Sequence, residues 1–145
     1  MKKLISFLFG LLLVQVVAWA DNDKPISVTQ LPVKAQTFIT TYFKDSKVAL
    51  AKKESGVMSK SYEVVFTNGN KVEFDRAGDW TDVKCLSGAV PMRVVPAAIR
   101  DYVKKHYPGA KVVQLERDKK EYEVKLTNRL ELKFDDKFQL VDIDN

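Results

Sequence analysis

Two stretches of this chain run in the same order sixty-four residues apart, and that internal repetition restricts the fold more than any other feature. Leu31-Pro32 opens a segment whose apolar positions are Ala35, Phe38, Ile39 and Tyr42. Val95-Pro96 opens a second, with Ile99, Tyr102, Val103 and His106. Both sets follow the i, i+3, i+4, i+7 spacing of one face of an amphipathic helix, and proline suits a first helical turn because its missing N–H would be unpaired there anyway. Asp45-Ser46 and Pro108-Gly109 supply the stops. Lys47-Val48 then matches Lys111-Val112, and, after four extra residues in the first stretch, Tyr62-Glu63-Val64 matches Tyr122-Glu123-Val124. Asn68 meets Asn128, Phe74-Asp75 meets Phe134-Asp135, and Asp82-Val83 meets Asp142-Ile143.

The matched regions read as strands. Tyr62, Val64 and Phe66 alternate with Glu63, Val65 and Thr67, and Val72 and Phe74 alternate with Lys71, Glu73 and Asp75, the period of a sheet with one buried face. Asn68-Gly69 marks a hairpin; Asn128-Arg129 is a weaker turn, because arginine tolerates positive φ poorly. A strand over residues 80–85 and opening strands near 48–53 and 112–117 complete each unit. One helix on four strands buries little, so the two units are expected to join: an α+β fold of two tandem helix-plus-four-strand repeats forming one antiparallel sheet, both helices on one face. Residues 87–91 are too short and too apolar for a free linker.

The first twenty residues have a different character. Met1-Lys2-Lys3, an apolar run from Leu4 to Val17 and the small residues of Ala18-Trp19-Ala20 predict a cleaved signal peptide over 1–20, giving a periplasmic or secreted protein with no membrane span once the signal is gone. Residues 21–145 then form one domain of two repeats, about 28–86 and 90–145. Removing the signal leaves 22 basic against 19 acidic side chains, interleaved rather than clustered, which argues against nucleic acid as a partner. Cys85 is the only cysteine and reads as a buried or edge-strand thiol, with an intermolecular disulfide as the alternative; His106, the only histidine, reads as a packing residue, so His-based zinc sites and Ser-His-Asp triads are thinly supplied.

The Leu-Pro helix with Phe38-Ile39 and Tyr42-Phe43, then Tyr62-Glu63-Val64, Val72-Glu73-Phe74-Asp75 and Gly78-Asp79-Trp80, resembles the PepSY-like family of bacterial periplasmic proteins. The likeness covers nearly all of residues 21–145, twice over. It implies a fold similar to the beta-lactamase inhibitory protein, whose open sheet face grips an enzyme, although the disulfide cysteines of that inhibitor are missing here. It also implies kinship with proteins described as calcium-responsive and with PepSY domains that restrain peptidases. Fold likeness alone is a weak warrant for function.

Three readings follow. The first is a non-enzymatic binding or inhibitory module that contacts another exported protein through the bare sheet face, with Glu63, Val65, Lys71, Glu73, Trp80, Lys125, Glu131 and Lys133 as contact residues. Against it, the charges can be read as solvated cross-strand pairs, and Trp80, which aligns with Leu140, as a core residue. The second is a calcium- or ligand-sensing protein, with hard oxygen ligands from Asp75, Asp79, Asp82, Asp135, Asp136 and Asp142; Asp is also simply a good turn residue. An enzyme is the third and least supported: Glu63 with Glu123 resembles a glycosidase dyad, but the two fill equivalent slots of the two units. No cofactor is expected beyond calcium.

Overall fold

The structure, a computed structural model, describes residues 23–55 and 60–145; the expected signal segment and its cleavage site lie outside the described residues. Among the described residues there are two α-helices and nine strands. After β1 (Asp23–Ile26) and a single 3-10 turn come α1 (Val33–Tyr42), β2 (Val48–Ser55), β3 (Lys60–Phe66), β4 (Lys71–Phe74) and β5 (Trp80–Lys84). Next are α2 (Ala97–His106), β6 (Val112–Arg117), β7 (Glu121–Leu126), β8 (Glu131–Asp135) and β9 (Leu140–Asp144). The strands form one open antiparallel sheet in chain order, β1 to β9.

An eight-stranded sheet was expected, and β1 is the difference. Its sequence, Asp-Lys-Pro-Ile, has no apolar alternation to betray it. It is held by pairing with β2 and by Lys52 Nζ, 3.2 Å from Asp23 Oδ2. Pro25 is tolerated because β1 is an edge strand.

Both helices cover one face. Register carries Val64, Val72, Val83, Leu115, Val124 and Leu132 across six strands in one line, each completely buried. Ala35 and Ile39 of α1 and Ile99 and Val103 of α2 close over that line. Phe38 meets Phe74 edge-on at 5.6 Å and Tyr102 meets Phe134 edge-on at 5.4 Å, the geometry aromatic pairs prefer. The buried side chains of both halves form one cluster, to which the connector adds Val90, Val94 and Val95. Asn70, buried, fastens that connector: its Nδ2 donates to Ser87 O (3.1 Å) and its Oδ1 accepts from Ser87 N (2.9 Å). Cys85 is buried and free, its thiol pushed up to about 11 by burial. His106 packs at the surface of α2: it is exposed, and its ring lies against Tyr102 at 4.2 Å.

Candidate functional site

The face opposite the helices is open, and the register writes two rows across it. The first runs Lys52, Glu63, Glu73, Asp82, Glu116, Glu123, Lys133, Asp142, each residue directly opposite the next on the neighbouring strand. Five consecutive carboxylates therefore stand between two lysines. The second row runs Val65, Lys71, Lys84, Gln114, Lys125, Glu131, Asp144. Like charges directly opposite each other on a sheet are unfavourable.

Among the described residues, ion pairs within 4.0 Å in the first row are confined to its ends. Lys52 Nζ lies 3.8 Å from Glu63 and 3.6 Å from Glu54; Lys133 Nζ lies 3.5 Å from Glu123 and 3.7 Å from Glu121. Burial alone would pull Lys52 down, but its bond to Asp23 and the charges of Glu63, Asp23 and Glu54 outweigh this and hold it up. In the centre, Glu73, Asp82 and Glu116 have no ion-pair partner within 4.0 Å among the described residues. Gln114 Nε2 instead bridges Asp82 Oδ1 (3.2 Å) and Glu116 Oε1 (2.7 Å). Burial raises all three carboxyls above their ordinary values. Asp82 and Glu63 add to the rise at Glu73; Asp82 and Glu123 add to it at Glu116; Gln114 restrains it at Asp82. Glu73, Asp82 and Glu116 line a depression of about 320 Å³ together with Thr81, Arg117, Asp118, Glu121 and Glu123.

Seven of the eight expected contact residues thus share the open face: Glu63, Glu73 and Lys133 in the first row, Val65, Lys71, Lys125 and Glu131 in the second. Trp80 stands apart. A bulge between Glu73 and Phe74 sets it opposite Phe74 on the helix-bearing side, where it packs against the core and under the Arg117 guanidinium, 3.9 Å from the ring centroid. Glu116, Gln114 and Lys52 were missed as site residues; the alternation of residues 112–117 around buried Leu115 is the signal that could have found the first two.

The six aspartates proposed as ligands do not gather. Asp75 Oδ1 accepts the N–H groups of Ala77 (2.9 Å) and Asp79 (3.0 Å), and Asp135 Oδ1 those of Lys137 and Gln139 (both 2.9 Å), so both carboxylates close turns. Asp79 pairs with Lys34 at 3.4 Å, Asp136 is exposed in its turn, and Asp82 and Asp142 belong to the open face. Among the described residues no three acidic, His or Cys side chains converge to hold a metal ion. Glu63 and Glu123 lie four strand intervals apart in one row, about 19 Å at the usual strand spacing, against roughly 6.5–9.5 Å for an inverting glycosidase pair.

The chain is thus an open antiparallel sheet with two helices on one face and a charged second face. A family model described as "Putative beta-lactamase-inhibitor-like, PepSY-like" matches residues 60–142, and the chain belongs to this family. Its backbone is similar to that of a "putative calcium-regulated periplasmic protein" from Bacteroides thetaiotaomicron, at 64% identity and TM-score 0.85, covering 87% of this chain and 99% of that one. A "putative periplasmic protein" from Bacteroides vulgatus is 59% identical with TM-score 0.84, over 87% and 99% of the two chains. Another from Bacteroides vulgatus, "of unknown function", is 35% identical with TM-score 0.80, over 85% and 99%. None of the curated proteins matches this chain. No helix among the described residues is long and apolar enough to cross a membrane.

Proposed function

We propose that this is an exported, periplasmic binding module whose open sheet face contacts another exported protein, and that it acts by binding rather than by catalysis. The observation that carries this reading is the run of five cross-strand carboxylates whose central members have no ion-pair partner within 4.0 Å among the described residues. Such a row costs the isolated fold stability, and a cationic surface laid over it offsets that cost. Because the lysines flank the carboxylates rather than face them, the pattern also discriminates against uniformly charged partners. Capture from periplasmic extract tests the reading with two charge-reversed proteins. Glu73→Lys with Glu116→Lys should abolish capture of a partner that the unaltered protein retains, while Asp101→Lys with Lys104→Glu, on α2, should leave it intact. Full capture by the first variant at an unchanged denaturant midpoint rejects the open face.

A second reading, calcium binding, is favoured by the same uncompensated carboxylates and by the name of the Bacteroides thetaiotaomicron relative. Calcium accepts two carboxylates completed by water, which adjacent members of the row supply. Titration calorimetry should then give heat that Asp82→Ala with Glu116→Ala removes and Asp75→Ala does not. No heat at millimolar calcium ends this reading.

The two halves are also inferred to be two copies of one unit, since each presents a helix and then four strands in the same order. Superposing residues 31–85 on 95–145 in a crystal structure tests this; different helix placement in the two would end it.

A further inference from the structure

The sheet has two outer edges, and they differ. At β1, Pro25 removes one of the backbone donors an added strand would need. At β9 no proline intervenes, and comparison with β5 shows what a partner there would complete. The outer edge of β5 is taken by β6: Cys85 N–H is given to Val113 O at 2.8 Å, and Val83 is sealed at 0% exposure. In β9, Ile143 continues the same buried line beside Leu132 but is 46% exposed, and Val141 is 54% exposed. Among the described residues, the N–H groups of Ile143 and Asn145 are given to local carboxylates, Asp142 Oδ1 at 2.9 Å and Asp144 Oδ1 at 2.8 Å. Asp142 and Asp144 project to the open face: Lys133, opposite Asp142, is paired with Glu121 and Glu123, Glu131 stands between Lys125 and Asp144, and among the described residues neither aspartate has an ion-pair partner within 4.0 Å.

We propose that the outer edge of β9, which pairs with no other described strand, accepts an extended basic segment of another exported protein as a tenth strand. Its Lys or Arg side chains lie over Asp142, Asp144 and Glu131, and an apolar side chain beside Ile143 extends the buried line. Docking is an exchange: incoming carbonyls take the Ile143 and Asn145 N–H groups, and the released carboxylates turn to the incoming cations, so no donor or charge is stranded. A second copy of this chain is a poor occupant, because pairing β9 with itself brings Asp142 and Asp144 of both copies together. This edge is distinct from the centre of the carboxylate row, so the proposal goes beyond the function proposed above and either can fail without the other.

The probe is a synthetic peptide of alternating lysine and valine, six residues long, with capped ends, added to the 15N-labelled exported protein. Amide hydrogen exchange at Ile143 and Asn145 should slow on binding. A peptide of the same sequence N-methylated along one edge should lose that effect, as should one with glutamate for lysine. Asp142→Lys with Asp144→Lys should weaken binding about tenfold, as expected for two surface ion pairs lost. Equal binding by the N-methylated peptide, spectral changes confined to Glu73, Asp82 and Glu116, or unchanged exchange at millimolar peptide would each overturn the proposal.

Discussion

The two halves of the sheet are built from the same order of elements but are finished differently, and the difference lies in their turns and edges. At the β3–β4 and β4–β5 turns the positive-φ residues are glycines, Gly69 (φ 90) and Gly78 (φ 93); at the matching β7–β8 and β8–β9 turns they are Arg129 (φ 72) and Phe138 (φ 63). The hydrogen bonds of the β4–β5 and β8–β9 turns are otherwise the same, down to an aspartate that caps two N–H groups. Gly78 has a steric reason as well as a conformational one, since a Cβ there would stand 2.8 Å from Pro32 Cβ. Phe138 instead packs its ring on Tyr122 at 5.2 Å, contact that offsets its unfavourable backbone. One turn geometry is thus reached by two solutions, one through a missing side chain and one through a useful one.

The largest effects should fall equally on both halves. Phe74→Ala and Phe134→Ala remove completely buried rings with near-identical edge-on partners, and each should cost about 3–5 kcal/mol by denaturant unfolding. A gap of more than about 2 kcal/mol between them would break the comparison. The turns should separate the halves. Gly78→Ala should cost about 1–3 kcal/mol, combining positive φ with overlap, whereas Gly69→Ala, whose Cβ meets only Leu86 Cδ1 at 3.9 Å, should cost about 1 kcal/mol. Arg129→Gly should go the other way, gaining about 0.5–1 kcal/mol, because relief of the left-handed backbone exceeds the entropy that glycine adds to the unfolded chain. A loss there would mean that the second-half turn is not strained.

The smallest effect concerns pH. Glu73, Asp82 and Glu116 are raised on folding, so between their ordinary and raised values the folded state holds more protons than the unfolded. Their contribution to stability is present below that window and lost as pH rises through it. Mild acidification should therefore raise the thermal midpoint slightly, and Glu73→Gln, Asp82→Asn and Glu116→Gln together should flatten the profile. Asp118, lowered by the N–H groups of Lys120 and Glu121, acts in the opposite sense and should persist as a loss at lower pH.

Most of the fold was legible because period-two alternation and proline-opened helices are local signals: residues 33–42, 97–106 and the eight strands after β1 follow them. β1 was not, since Asp-Lys-Pro-Ile gains its order only from β2. The site was legible one residue at a time. Alternation exposed Glu63, Glu73 and Lys133, but a row is a property of register, and four bulges set it, between Val48/Leu50, Glu73/Phe74, Val112/Gln114 and Lys133/Phe134. The bulge after Glu73 turned Trp80 to the helix side while leaving Asp82, read as a turn ligand, on the open face. The step from Asp82 to Glu116 also needs the β5–β6 pairing across the connector, which no short-range pattern encodes.

Carboxylate footprinting of the captured complex tests the central claim, that the row of the open face is the contact surface, most directly. Carbodiimide labelling read by mass spectrometry compares each acidic residue with and without the partner. Glu63, Glu73, Asp82, Glu116 and Glu123 should lose labelling in the complex, while Asp101 on α2 and Asp136 in the β8–β9 turn keep theirs. Protection at Asp101 with the row still fully labelled would place the partner on the helices and contradict the account.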